Sequence, residues 1–255
     1  MAEPNYKSRV IVLRKTKLSE SDLVLTMLAE DGSQVRAVAK GARKPSNSFS
    51  ARLELYSVAD LLLARGKNLD IVREARSVES NEAVRRDIEH AAGAAPMAEL
   101  LDRVTLDALE SPKLFPMTRT ALQSLGRVDA ACVPKVCAAQ LLKTLGFSGF
   151  RPSFSVCASC GRPVDLHGGD GVSFSSREGG VVCGQCRAQC ESVLLPAPVL
   201  ALADALLGST FAQIEASEAD TAGALDVLQL CQQLIREHVG ARMKSLDFLF
   251  TSGLF

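Results

Sequence analysis

The sequence predicts a mixed α+β chain of several parts: a small five-stranded N-terminal barrel, then a helical bundle interrupted by a four-cysteine insertion. Three observations carry this. Short β-branched runs separated by turn residues fill the first eighty positions. Apolar residues then switch to i, i+3, i+4 spacing. Two Cys-x2-Cys pairs sit in a glycine- and serine-rich stretch that lacks either period. The division is residues 1–80 for the barrel, 81–149 and 193–255 for the helices, and 150–192 for the insertion.

The strands come first. Val10–Leu13, Leu23–Leu28, Gln34–Ala39, Val58–Ala64 and Leu69–Val72 are the five candidates. Their joints are turn-like: Ser19–Asp22, Asp31–Ser33, 45–48 and Arg65–Asn68. Five short strands with one long loop (41–55) suit an OB-fold, and the strand pattern equally allows an SH3-like barrel.

The helices follow. Glu82–Ala91, Ala95–Leu109, Leu114–Leu125 and Ala131–Leu145 have helical spacing, with Pro96, Pro112, Pro116 and Pro134 near their starts. Leu100, Leu101, Val104 and Leu109 form one apolar face, and Gly146 reads as a helix stop. After the insertion, Pro196–Leu207 and Thr221–Met243 return to helix and are expected to fold back on the first bundle.

Cys157-x2-Cys160 and Cys183-x2-Cys186 are separated by 22 residues. Tetrahedral zinc takes four thiolates, and a Cys-x2-Cys turn offers two of them to one ion. Gly161 and Gly184 fall where such a turn needs unusual dihedrals, and Phe174–Ser176 with Gly179–Val182 reads as a supporting hairpin. Four cysteines close the shell, so the expected Zn2+ is structural, and His167 and Asp170 are not needed as ligands. The segment has too little apolar material to fold alone. Cys190 is an ordinary thiol on this reading, and Cys132, Cys137 and Cys231 are packing residues. Paired disulfides would require an oxidising compartment, and neither pair opens a helix after a strand as a redox motif does.

Charge narrows the function. The whole chain has 29 basic and 29 acidic residues and is neutral, but residues 1–52 hold ten basic against five acidic. The basic residues cluster on three turns, one with Arg14, Lys15 and Lys17, one with Lys40, Arg43 and Lys44, and one with Arg65 and Lys67, which on one barrel rim would neutralise the phosphates of DNA. Aromatics are sparse there, so charge outweighs base stacking. The polar start and the lack of a long apolar run predict a cytoplasmic protein with no signal peptide and no membrane span. No phosphate loop, G-x-S-x-G or H-E-x-x-H is present, so no enzyme activity is expected. Two competing readings are a zinc-ribbon assembly module that makes no DNA contact and a zinc-dependent hydrolase.

Several motifs together resemble the bacterial RecO family of recombination mediators. They are Val10-Ile11-Val12-Leu13 with Ser19–Asp22 and Leu25-Thr26, and Ala39-Lys40-Gly41-Ala42-Arg43. They continue with Leu145-Gly146-Phe147, the two cysteine pairs with Gly179–Val182, and Lys244–Leu249. The resemblance implies an OB-fold, a helical domain and a zinc-bearing insertion. It also implies binding of single- and double-stranded DNA at the nucleoid, strand annealing, and help in loading RecA onto DNA coated by single-stranded DNA-binding protein (SSB). RecR and the acidic SSB tail are the implied partners, with a link to RecF. The tail is expected near Arg127, Lys135 and Lys143.

Overall fold

The computed structural model describes residues 5–44, 49–166 and 171–255. The chain forms two compact units, 1–126 and 127–255. The first unit reaches past the barrel to Gly126, so the helices read from sequence as one domain are divided between the units.

In the first unit, β1 (Asn5–Lys17), β2 (Leu23–Ala29), β3 (Gln34–Ala39), β4 (Val58–Ala64) and β5 (Asp70–Glu79) close in the order β1-β2-β3-β5-β4. The first half of β1 pairs with β4, from Asn5↔Ala64 to Ile11↔Val58, and its second half with β2, ending at Lys17↔Leu23. The β3–β5 pair is parallel, Ala37↔Asp70. With the short helix α1 (Phe49–Arg52) between β3 and β4, this is an OB-like barrel, which settles the choice left open by strand spacing. Alternate residues face inward: Val10, Val12, Leu25, Met27, Leu61, Leu63 and Val72 fill the barrel. The four strand positions read earliest lie within β1 to β4, and β5 runs seven residues past Val72. The 45–48 turn lies outside the described residues.

Three helices complete this unit: α2 (Ala83–Arg86), α3 (Ile88–Val104) and α4 (Leu114–Leu125). The expected helix over 82–91 breaks at Asp87, which is extended and caps α3 by accepting from the His90 N–H. Helix α3 then runs through Pro96 and stops before Leu109, so the expected face is cut short. Thr105 Oγ1 donates to the Leu101 carbonyl at 2.6 Å, and the Leu106 carbonyl accepts from the Gln34 N–H at 3.0 Å. That backbone bond draws the chain onto the barrel and leaves Leu109 exposed, whereas Leu100 and Leu101 are buried.

The second unit is built on α5 (Val133–Phe147), which is buried around most of its circumference and packs on α6 (Ala197–Gly208), α7 (Phe211–Ala216) and α8 (Thr221–His238). The return of the last long helix onto the earlier one is thus observed as the α5–α8 contact. Helix α5 is stopped by Gly149 at φ +92°, not by Gly146. The Phe150 N–H reaches back to the Leu145 carbonyl and the Gly149 N–H to Gly146, a Schellman closure. Helix α8 ends near Gly240 (φ +67°), five residues before the expected limit, and α9 (Lys244–Thr251) follows. Helix α7 begins with a Thr210–Gln213 capping box.

Between α5 and α6 lies a small sheet of β6 (Val172–Ser175), β7 (Gly180–Val181) and β8 (Val193–Leu195), ordered β7-β6-β8. The predicted hairpin is present, as Phe174↔Val181 and Ser175↔Gly180. Strand β8, beyond the expected boundary at 192, adds a third strand. Phe154, Phe174, Val181 and Val182 are buried, and the two phenyl rings stack at 6.2 Å. No helix among the described residues is long and apolar enough to cross a membrane.

Candidate metal centre and nucleic-acid face

The metal centre is made by two loops leaving the small sheet. In the first, the Cys157 N–H donates to the Arg162 carbonyl and the Gly161 N–H to the Cys157 carbonyl, both at 2.8 Å, with Gly161 at φ +73°. In the second, the Cys186 and Arg187 N–H groups both donate to the Cys183 carbonyl at 3.0 Å. Gly184 does not take a positive φ, so only one of the two glycines expected in unusual dihedrals holds one. The Ala158 N–H bonds the Val181 carbonyl at 2.8 Å, which joins the first loop to β7.

The sulfurs of Cys157, Cys160, Cys183 and Cys186 all lie within 4.8 Å of one another, and those of Cys160 and Cys183 are 3.7 Å apart. Four sulfurs ~2.3 Å from a central zinc sit about 3.8 Å apart in a tetrahedron. A disulfide would need ~2.05 Å. The donor set therefore fits a four-thiolate metal ion, and Cys190 is not part of the cluster. His167 and Asp170 lie outside the described residues.

Polar groups favour the thiolate form of two of the four, Cys157 and Cys160. Burial works against ionising Cys157, yet N–H groups including that of Cys183, 3.3 Å from its sulfur, outweigh it and lower its pKa. The Arg162 side chain holds the Cys160 thiol down to about 6 by donating to its sulfur. Arg162 was not singled out in the sequence. Its only signal there is its position directly after Cys160-Gly161. By contrast, burial raises the pKa of Cys137 and Cys231, as suits inert packing thiols.

On the barrel, the eight expected DNA-face cations fall into two groups. Lys17, Leu23 and Ala39 are successive partners across three strands. The turn after β1 and the turn after β3 therefore meet, with the backbone of Lys17 about 10 Å from that of Ala39 at ~4.8 Å per strand. The junction is tied by hydrogen bonds. The Arg43 guanidinium donates to the Ser19 and Glu20 carbonyls (3.0 and 2.8 Å), and the Gly41 N–H donates to Asp22 Oδ1 at 2.8 Å. That backbone N–H, with the Ser21 hydroxyl, holds the Asp22 carboxyl below its ordinary pKa. Lys17, Lys40 and Lys44 are exposed around this junction.

In the other group three cations have partners on neighbouring elements. Arg14 pairs with Asp102 of α3 at 3.0 Å, and Lys15 with Glu54 at 2.9 Å. Arg65 stacks over the Tyr6 ring at 4.8 Å. The Arg65–Lys67 turn follows β4, whose end pairs with the start of β1, whereas Lys17 closes the far end of that strand. The parallel pairing of β5 with β3 sets Asp70 and Ile71, just after this turn, beside Ala37 and Val38, two residues before Lys40. In the second unit, Arg127 pairs with Glu215 at 2.6 Å, buried Lys135 donates to Ser217 Oγ at 2.9 Å, and Lys143 donates to the Leu207 carbonyl at 2.8 Å. These three tether α7 and its neighbouring turns.

Comparison with known proteins adds a second line of argument. Residues 1–81 match the family model described as Recombination protein O N terminal, and residues 85–247 match Recombination protein O C terminal. The DNA repair protein RecO of Symbiobacterium thermophilum is 30% identical over 247 residues, 96% of this chain and 97% of that protein. The RecO of Frankia casuarinae is 37% identical over 207 residues, 80% of this chain and 83% of the relative. That of Desulfitobacterium hafniense (strain DSM 10664 / DCB-2) is 37% identical over 187 residues, 73% of this chain but 66% of the relative's length. With both family models matched in order and an OB-like barrel under the first, the chain belongs to the RecO family of DNA repair proteins.

Proposed function

We propose that this chain is a non-enzymatic mediator of recombinational repair. It binds single- and double-stranded DNA, anneals complementary strands and assists RecA loading onto SSB-coated DNA. RecR and the SSB tail are its partners, RecF is a functional link, and Zn2+ is a structural cofactor. The observation that carries the reading is the braced junction of the two turns bearing Lys17, Lys40 and Lys44. Annealing needs no reacting group. Two strands repel each other, and cations held on a preformed surface neutralise phosphates and raise local strand concentration. In the metal centre a bound zinc would supply cross-linking of the two cysteine loops, while the chain's N–H groups and Arg162 stabilise the thiolates of Cys157 and Cys160.

The test is single-strand binding across a salt series. Wild type is expected to bind with a steep salt dependence, and Lys17→Ala/Lys40→Ala/Lys44→Ala to lower the slope by about 2, at ~0.7 per phosphate contact. Binding by the triple variant with an unchanged slope would place the face elsewhere. No binding by wild type at low salt would favour the assembly-module reading.

A further inference from the structure

We propose that Arg162 is the positioning residue of the metal centre, clamping the two cysteine loops together through their sulfurs. The inference depends on the metal reading above. Its Nε lies 3.3 Å from Cys160 Sγ in the first loop, and a terminal guanidinium nitrogen lies 3.8 Å from Cys183 Sγ in the second. One planar fork therefore spans both halves of the site. Arginine can do this because its donors are fixed in a plane, whereas a lysine ammonium is a point charge.

Charge gives the contact its purpose. Four thiolates around a divalent ion leave a net charge of about −2. Cys160 is the exposed member of the quartet, and Cys157 is buried. The excess charge on the exposed side is met by Arg162. The backbone of Arg162 is placed independently of its side chain, since its carbonyl accepts the Cys157 N–H at 2.8 Å. A substitution at 162 can therefore remove the fork and leave the turn in place. Arg187, also beside the site, bonds it through its backbone N–H to the Cys183 carbonyl.

The test compares full-length wild type with Arg162→Ala, Arg162→Gln and Arg162→Lys. Zinc affinity is measured by competition with a chromophoric chelator at fixed pH, and the cobalt-substituted site by its thiolate-to-metal charge-transfer band. Loss of a partner of this kind weakens metal binding about 10- to 100-fold. The expected result is a loss in that range for Arg162→Ala and Arg162→Gln with a displaced cobalt band, and partial recovery of both in Arg162→Lys. Helical circular dichroism should match wild type throughout. A residue that only shaped the turn would leave the band unmoved and gain nothing from lysine.

Equal affinity and an equal band in all three variants would overturn the clamp while leaving the metal reading intact. A wild-type protein that takes up neither zinc nor cobalt would overturn both. Should Arg162→Ala not fold, Arg162→Gln, a shorter polar side chain that keeps one amide donor group without the charge, decides the matter on the same two readouts.

Discussion

Replacing Phe174 by alanine should destabilise the small sheet even with metal bound. Phe174 is fully buried on the central strand β6, opposite Val181 and Val193, with its ring against Phe154. A buried phenylalanine removes ~200 Å² from water, worth about 5 kcal/mol at ~25 cal/mol per Å² as an upper figure. Measured Phe→Ala substitutions in cores cost about 3–5 kcal/mol. Taking ~4 kcal/mol at 1.4 kcal/mol per tenfold, local opening should become about a thousandfold more frequent. Hydrogen exchange reads this directly at three amides: Ala158, Val181 and Val182 donate to the Val181, Ser153 and Ser173 carbonyls at 2.8, 2.9 and 2.8 Å. Their protection in the metal-loaded protein should fall by that factor, while barrel amides such as Val12 keep theirs. Unchanged protection at the three amides would refute the reasoning and show that the metal alone holds the segment.

Other outcomes follow from single contacts. Gly32 sits at φ +84°, and a Cβ there would run into the backbone of Ser111. Gly32→Ala should lower the first unit's thermal stability by more than the about 1–3 kcal/mol that a left-handed non-glycine costs, read by calorimetry. Arg14→Ala breaks a partly exposed ion pair, so its stability cost should stay within about 1 kcal/mol and its DNA salt slope should match wild type in the same binding assay. The Asp22 pKa is depressed by the Gly41 N–H, so its contribution to the junction is present above the ordinary carboxylate value of about 4 and lost as pH falls through the lower folded value. Protection of the Gly41 amide, taken relative to its intrinsic exchange rate at each pH, should fall below that pH in wild type, and should already be low and flat across that range in Asp22→Ala.

Much of this architecture was legible because local chemistry and tertiary packing agree. Alternation located the five strands, since each has one face in the barrel core. Cys-x2-Cys spacing located the quartet, since each short loop presents its own two sulfurs. What was not legible depends on partners distant in sequence. Leu109 continues a helical stripe, but the Gln34 N–H captures the chain at Leu106. Gly146 looks like a stop, yet the Phe150-to-Leu145 closure places the turn at Gly149. Strand β8 has three residues and forms only against β6. Within the cationic cluster, composition treats Arg14 and Lys17 alike, and the pairing of Arg14 with Asp102 on α3 separates them.

The parallel β3–β5 pair has a consequence for how the chain is made. Until Asp70 emerges and meets Ala37, strands β1, β2 and β3 form a meander with two open edges. The β4–β5 hairpin fills both, β4 along β1 and β5 along β3. Such edges template pairing with other chains. A nascent or truncated product ending between β3 and β5 is thus the form of this protein most prone to self-association, and synthesis through Glu79 removes the hazard in one closing step.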